Sequence, residues 1–274
     1  MRLNTSKTRL GLILGFCAVL ILGACAAPSE RKPTPDQAKG VLKLRGYDFD
    51  QVAFARAAAA SDEVAVNLFF TAGINPNTKD ATTSPLIAAA SRGDLEMVKA
   101  LVQGGALVNH RDEKSFTALL RALQDQDYDV ADFLLAQPGL DVNAQGSTGV
   151  TALMSYVARQ REDVVKNLLS RGADVNLKDA DGDTALHLAS QAGNVNVLKL
   201  LLEKGAAPNA KNKVGGTPLM WAGVFGHEEA AKLLLERGAD ASLKDNKGNT
   251  AAMWAKENKR DEVAALLQAA EKKR

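Results

Sequence analysis

One apolar position recurs through the chain as Phe54, Leu86, Leu119, Leu153, Leu186, Leu219 and Ala252, at steps of 32, 33, 34, 33, 33 and 33 residues. No other feature restricts the fold so strongly. A fixed period of this length marks stacked copies of one supersecondary unit, not a single mixed core. Each unit can bury its apolar side only against its neighbours, so residues 49–274 must form a quasi-linear array of seven units. The third unit gains a residue at Pro138, and the lost residue falls in the short turn around Asp80 to Ser84.

The internal order of a unit follows from its residue types. Thr217 or Ser84 supplies an N-cap hydroxyl for a free helix amide. Pro218 and Pro85 then occupy the first turn, where a missing N–H costs nothing. A short helix rich in alanine follows (Ala88, Ala89, Ala90), and Gly93, Gly193 or Gly226 reverses the chain. The second helix carries the apolar run Val197-Leu-Lys-Leu-Leu-Leu202. It closes at a glycine suited to a left-handed cap: Gly73, Gly105, Gly139, Gly172, Gly205 or Gly238. The polar stretch 174–183 completes the unit as a hairpin-like turn.

Asp179-Ala-Asp-Gly-Asp-Thr-Ala-Leu-His-Leu-Ala189 and Gly226-His-Glu-Glu-Ala-Ala-Lys-Leu-Leu-Leu-Glu-Arg-Gly-Ala-Asp240 together resemble the ankyrin repeat. The resemblance covers residues 49–274 and implies an all-α solenoid of helix-turn-helix units with short β-hairpin-like turns. The first and last units depart most from the pattern, as terminal caps do. Residues 36–48 then form an N-terminal capping segment.

The N-terminus is a separate element. Arg2, Lys7 and Arg9 precede the apolar run Leu10 to Gly23, which is shorter than the roughly twenty residues of a spanning helix but suits a signal peptide. Leu22-Gly-Ala-Cys25 resembles the bacterial lipobox, which implies that residues 1–24 are a lipoprotein signal and that the Cys25 thiol is acylated. Two or more acyl chains hold a protein firmly on a bilayer. Ala26 after the cysteine implies, by resemblance to enterobacterial sorting, the outer membrane facing the periplasm. Residues 25–35 are then a lipidated cysteine with a Pro-rich tether.

Charge and chemistry exclude several functions. The net charge is +2, and without the first 24 residues it becomes 31 basic against 32 acidic side chains. Nucleic acid is therefore not an expected partner. Both cysteines, Cys17 and Cys25, sit at the N-terminus, so no disulfide framework or cysteine metal site can exist downstream. Asp179, Asp181 and Asp183 resemble the start of a calcium loop, but Thr184 and Ser190 stand where Gly and Glu are required. His110, His187 and His227 lack partners at ligand or triad spacing. No phosphate-cradling glycine loop is present. The expectation is a non-enzyme with no cofactor and no metal.

Function must then lie on the surface. The resemblance implies a concave face of turn tips and first helices that binds proteins. Its variable positions here include Lys114, Phe116, Val150, Arg159, Gln191, Val214, Val224 and Phe225. Aromatic and arginine side chains dominate interface hot spots, which singles out Phe116, Arg159 and Phe225. Trp221 and Trp254 share one position of the unit, suited to packing between helices or to a ligand shelf. Tyr156 replaces the usual small residue of its unit and fills a gap there. The reading is a monomeric, lipid-anchored module that recruits or inhibits a periplasmic protein, as toxin immunity lipoproteins with such repeats do. The alternative is a periplasmic enzyme or ligand-binding protein using the groove, for example on peptidoglycan. A blind pocket with converging carboxylates would favour the alternative, and a broad open groove the module.

Overall fold

The structure is a computed structural model describing residues 32–77 and 84–272. Residues 1–31, with Cys17 and Cys25, residues 78–83, where the lost residue of the repeat falls, and residues 273–274 lie outside the described residues. From Pro35 onward the chain is one compact unit.

A lone helix, α1 (Pro35–Leu44), precedes seven pairs. These are α2 and α3 (Gln51–Ala59, Glu63–Thr71), α4 and α5 (Pro85–Ala90, Leu95–Gln103), and α6 and α7 (Ala118–Asp125, Tyr128–Leu135). Next come α8 and α9 (Ala152–Ala158, Glu162–Ser170) and α10 and α11 (Ala185–Ala192, Val195–Glu203). The last are α12 and α13 (Pro218–Phe225, Glu228–Glu236) and α14 and α15 (Ala251–Glu257, Asp261–Glu271). No strand occurs among the described residues.

The first helices start as the side chains dictate: Ser84, Thr117, Thr151, Thr217 and Thr250 each accept a backbone N–H at the third helical residue. First helices pack on first helices through alanines that allow close approach. Ala57, Ala89, Ala122, Ala189, Ala222 and Ala255 share one position and are all fully buried. Tyr156 occupies the same position in the fourth pair and is also fully buried. Second helices add Val66, Val98, Leu134, Leu168, Leu201, Leu234 and Leu267, each at most 1% exposed.

The turns are stitched by two side-chain ladders. Asn143 Nδ2 donates to Gly172 O (3.3 Å) while its Oδ1 accepts from Asp174 N (2.8 Å), so one amide satisfies a carbonyl and an N–H of the next unit. Asn77, Asn109, Asn176 and Asn209 repeat this. Ser242 takes the equivalent position after the sixth pair and bonds Asp240 locally. At the tips, Arg111 donates to Gln145 O, Gln145 to Lys178 O, Lys178 to Lys211 O and Lys211 to Lys244 O. Each finger closes on itself, as in Asn212 N to Gly216 O (3.0 Å), and docks on its neighbour, as in Asn246 N to Val214 O (3.0 Å).

His187 joins two units from inside. It is 1% exposed. Thr184 N–H donates to its Nδ1 (3.1 Å), which leaves Nε2 protonated and donating to Gly216 O (3.2 Å). Burial pushes its pKa below the ordinary value, and a proton added at Nδ1 would face the Thr184 N–H. Below about pH 6.5 the unfolded chain takes a proton that the folded one refuses, so stability falls as pH falls. Urea melts should show a lower midpoint at pH 5.5 than at 7.5, and His187→Gln should remove most of that difference.

Candidate functional site

The fingers and the exposed sides of the first helices carry the residues singled out from sequence, but they do not form one patch. Phe116 is corrected: it is 7% exposed, not a surface anchor. It stands at the finger base, directly before the Thr117 cap, and folds inward onto Leu120 and Ala144. A Cβ on Gly146 would lie 2.7 Å from its ring, so Gly146 makes the room it needs. The Arg121 guanidinium covers the ring at 4.3 Å and bonds Asp112 through Nε (3.0 Å). Burial works against ionisation of Asp112, yet Arg121 and the Phe116 and Lys114 amides hold its pKa below the usual carboxylate value.

The other positions vary in exposure. Lys114 is exposed at its tip, and its carbonyl accepts from Ser147 N. Arg159 is exposed at the end of α8, its guanidinium 4.9 Å from the Tyr128 ring. Val150 is half-buried against the core and is therefore a packing residue. Gln191 is exposed, and its carbonyl lies 3.0 Å from His227 Nε2. The Asp179 carboxylate accepts from the Asp181 and Asp183 amides (2.9 Å each), which builds the turn.

Val214 and Val224 do come together. With Met220, Trp221 and Trp254 they line one apolar cleft between the last two pairs, floored by Gly216 and Asp245. Val214 is 58% exposed at its tip. Phe225 is not part of the cleft lining; it is 38% exposed, 6.4 Å from the Trp221 ring and stacked on His227 at 6.2 Å. The indoles are half-buried and fixed by hydrogen bonds: Trp254 Nε1 to Asp245 Oδ2 (2.9 Å) and Trp221 Nε1 to Asp183 Oδ1 (3.4 Å). Burial disfavours the Asp245 carboxylate, but the Asn249 and Lys247 amides and the Trp254 indole keep its pKa below the ordinary value.

A second, larger cleft of about 370 Å³ opens on the opposite side, between α7 and α9. It holds Asp132 and Asp163, but Arg161 reaches both, at 3.5 and 3.2 Å. The Arg161 hydrogen bond keeps Asp163 ionised, so it is no proton donor near neutral pH.

The three-copy ankyrin-repeat family model matches residues 54–146, 138–212 and 206–274. The chain belongs to the ankyrin-repeat family. An ankyrin repeat domain from Acinetobacter baumannii, solved at 1.00 Å, superposes with a TM-score of 0.59 at 29% identity, covering 68% of this chain and 97% of that one. A putative ankyrin repeat-containing protein of Treponema pallidum is 35% identical over 137 residues, 49% of this chain and 46% of that protein. Zygote-specific protein 3 of Chlamydomonas reinhardtii is 33% identical over 161 residues, 58% of this chain and 38% of its own length. The chain thus spans less than half the length of either curated relative. Ankyrin repeats are as a family protein-interaction modules, and on the first-helix and finger side this array leaves Val214, Phe225 and Met253 exposed.

Of the cleft walls, the sequence singles out Val214, Val224, Trp221 and Trp254 but not Met220. Trp221 and Trp254 stand 33 residues apart at one position of the ankyrin unit, which is the signal that they flank a shared gap. Met253 is the other omission. It is 55% exposed, whereas Ile87, Leu120, Met154 and Met220 at the same position are at most 4% exposed.

Proposed function

We propose that this protein is a lipid-anchored binding module of the bacterial envelope, which recruits or inhibits a partner protein through the fingers and first helices of its last two repeats. The observation that carries the reading is the apolar cleft lined by Val214, Val224 and the two tryptophans, with the exposed Phe225 ring 6.4 Å from Trp221. Interfaces centre on such aromatic anchors with a polar surround. The lipobox-like Leu22-Gly-Ala-Cys25, the preceding apolar run and the Pro-rich tether support the anchor and an outer-membrane, periplasm-facing location. In the cleft between α7 and α9, Asp132 and Asp163 are both engaged by Arg161, which argues against an acid–base pair there.

Two variants test the halves separately. Cys25→Ala should abolish metabolic labelling with a clickable fatty acid and shift the protein out of the membrane fraction. Phe225→Glu places a charge at a contact expected to lose water, with a cost of a few kcal/mol in binding. It should sharply reduce the partner crosslinked and co-purified from intact envelopes, while the melt stays within about 0.5 kcal/mol of the parent. Labelling that survives Cys25→Ala defeats the anchor, and partner recovery that ignores Phe225→Glu defeats the face.

A further inference from the structure

We propose that the exposed flank of α1, together with the first turn of α3, docks on the bilayer that holds the acyl chains of Cys25. The proposal rests on the reading of Cys25 as a lipid anchor, and it adds the surface of the folded array that meets the lipid.

Exposed apolar groups are concentrated at this end of the array. Of the ten large apolar side chains exposed among the described residues, five (Val41, Leu44, Phe49, Val52 and Val64) fall between residues 41 and 64. On α1, Ala38 and Leu42 are buried, and the helix packs on α3. Val41 and Leu44, three residues apart, share an exposed flank with Gly40, whose Cβ direction meets no atom. Leu44 is 89% exposed. Arg45 follows it directly and donates twice to Asp62, at 2.9 and 2.8 Å. Asp62 caps α3 two residues before Val64, so Leu44 and Val64 flank one ion pair. Val64 is 58% exposed. The six later units place Glu96, Asp129, Asp163, Asn196, Glu229 and Glu262 at its position, and all six are exposed. The fold therefore asks for a polar residue here, and only the first unit departs from that.

The length of chain ahead of α1 says what covers this flank. Ten residues lead from Cys25 to Pro35. Fully extended they reach at most about 36 Å, so an acylated Cys25 keeps α1 beside the lipid at all times. A tether this short sets an effective concentration in the millimolar range, which turns a weak affinity for the surface into occupancy. Projecting aliphatic side chains enter the boundary between headgroups and acyl chains, and each one that does so leaves water. Lys43, exposed beside Leu44, carries its charge on a long apolar stem that reaches back to lipid phosphates. The contact uses only the first units, so the cleft of the last two repeats stays free for a partner.

The chain suits a spin-label test, because Cys17 and Cys25 are its only cysteines, and the anchor reading removes the first and acylates the second. A nitroxide on Val64→Cys or Leu44→Cys would report from the full-length acylated protein in vesicles of phosphatidylethanolamine and phosphatidylglycerol. Lys199→Cys, exposed on α11, gives the solvent reference. Labels at 64 and 44 should be severalfold less accessible to a water-soluble nickel chelate than the label at 199, and more accessible to oxygen. Val64→Glu installs the residue type of the other units, so it should leave the circular-dichroism melt unchanged while returning the label at 44 to solvent-like accessibility. A label at 64 as open to nickel as that at 199 overturns the proposal, and so does shielding at 44 that ignores Val64→Glu. Shielding that persists without lipid in the Cys25→Ala background and grows with protein concentration also overturns it, because a second copy would then be the occupant. If Cys25 takes up fatty acid while position 64 stays open to nickel, the docking falls and the anchor stands. If Cys25 takes up none, both fall.

Discussion

Tyr156→Ala should destabilise the protein by about 3–5 kcal/mol, the range for truncating a large buried aromatic. Tyr156 is fully buried at a position that six other units fill with alanine, so its ring has made its own space. Its hydroxyl donates to Asp132 Oδ1 at 2.9 Å across the junction between the third and fourth pairs, and burial with that bond raises its pKa. The junction is distinctive. Second helices pack on one another along the stack, α3 on α5, α5 on α7 and α9 on α11, whereas α7 and α9 stand apart and enclose the polar cleft. Arg161 reaches across it to Asp132, and Arg171 reaches back to the carbonyls of Leu135 and Gln137, beside the inserted Pro138. Removing the ring takes out a fully buried side chain at this junction and leaves Asp132 without its hydroxyl donor. Because stability in a repeat array is a sum over neighbour interfaces, the variant should also melt in two steps, one for each side of the seam. Denaturant melts followed by circular dichroism would read both effects. A single transition with a loss under about 1 kcal/mol would show that the seam does not depend on Tyr156.

Leu201→Ala is expected to cost about 2–5 kcal/mol, from lost burial plus the cavity left behind. Leu201 is fully buried on α11, within an interface shared by α9, α11 and α13, so neighbouring units cannot relax into the space independently. Lys199 lies two residues away on the exposed side of the same helix, and Lys199→Ala should stay within about 0.5 kcal/mol. Equal losses in the two variants would mean that the helix phase is wrong.

Much of this architecture is written locally. The N-cap hydroxyls, the proline starts and the glycines at helix ends act over a few residues, and the hydroxyls and glycines each recur six times. Gly73, Gly105, Gly139, Gly172, Gly205 and Gly238 all adopt positive φ, as their place at the helix end required. The reversal between helices was less legible. Gly93, Gly193 and Gly226 take it with positive φ, but so do Gln126, Gln160 and Lys259, where the left-handed turn is imposed by packing on both sides. The surface was harder still. Val214 could be placed at a tip because a tip is defined by its own loop. Phe116 could not be read as buried, because its pocket depends on Gly146 and Ala144 from the next finger, 30 and 28 residues on. The two tryptophans were visible as a pair, yet only the depth of the gap between successive fingers turns such a pair into a cleft.

The central claim is that a partner protein sits on the cleft side of the last two repeats, and site-specific photocrosslinking in living cells tests it most directly. A photoreactive residue would replace Val214 or Val224 on that side and Lys199 on the other, in otherwise unaltered full-length protein. The account predicts the same adduct from both cleft positions, its loss when Phe225→Glu is added, and none from position 199. An adduct from position 199 with none from 214 or 224 would contradict it.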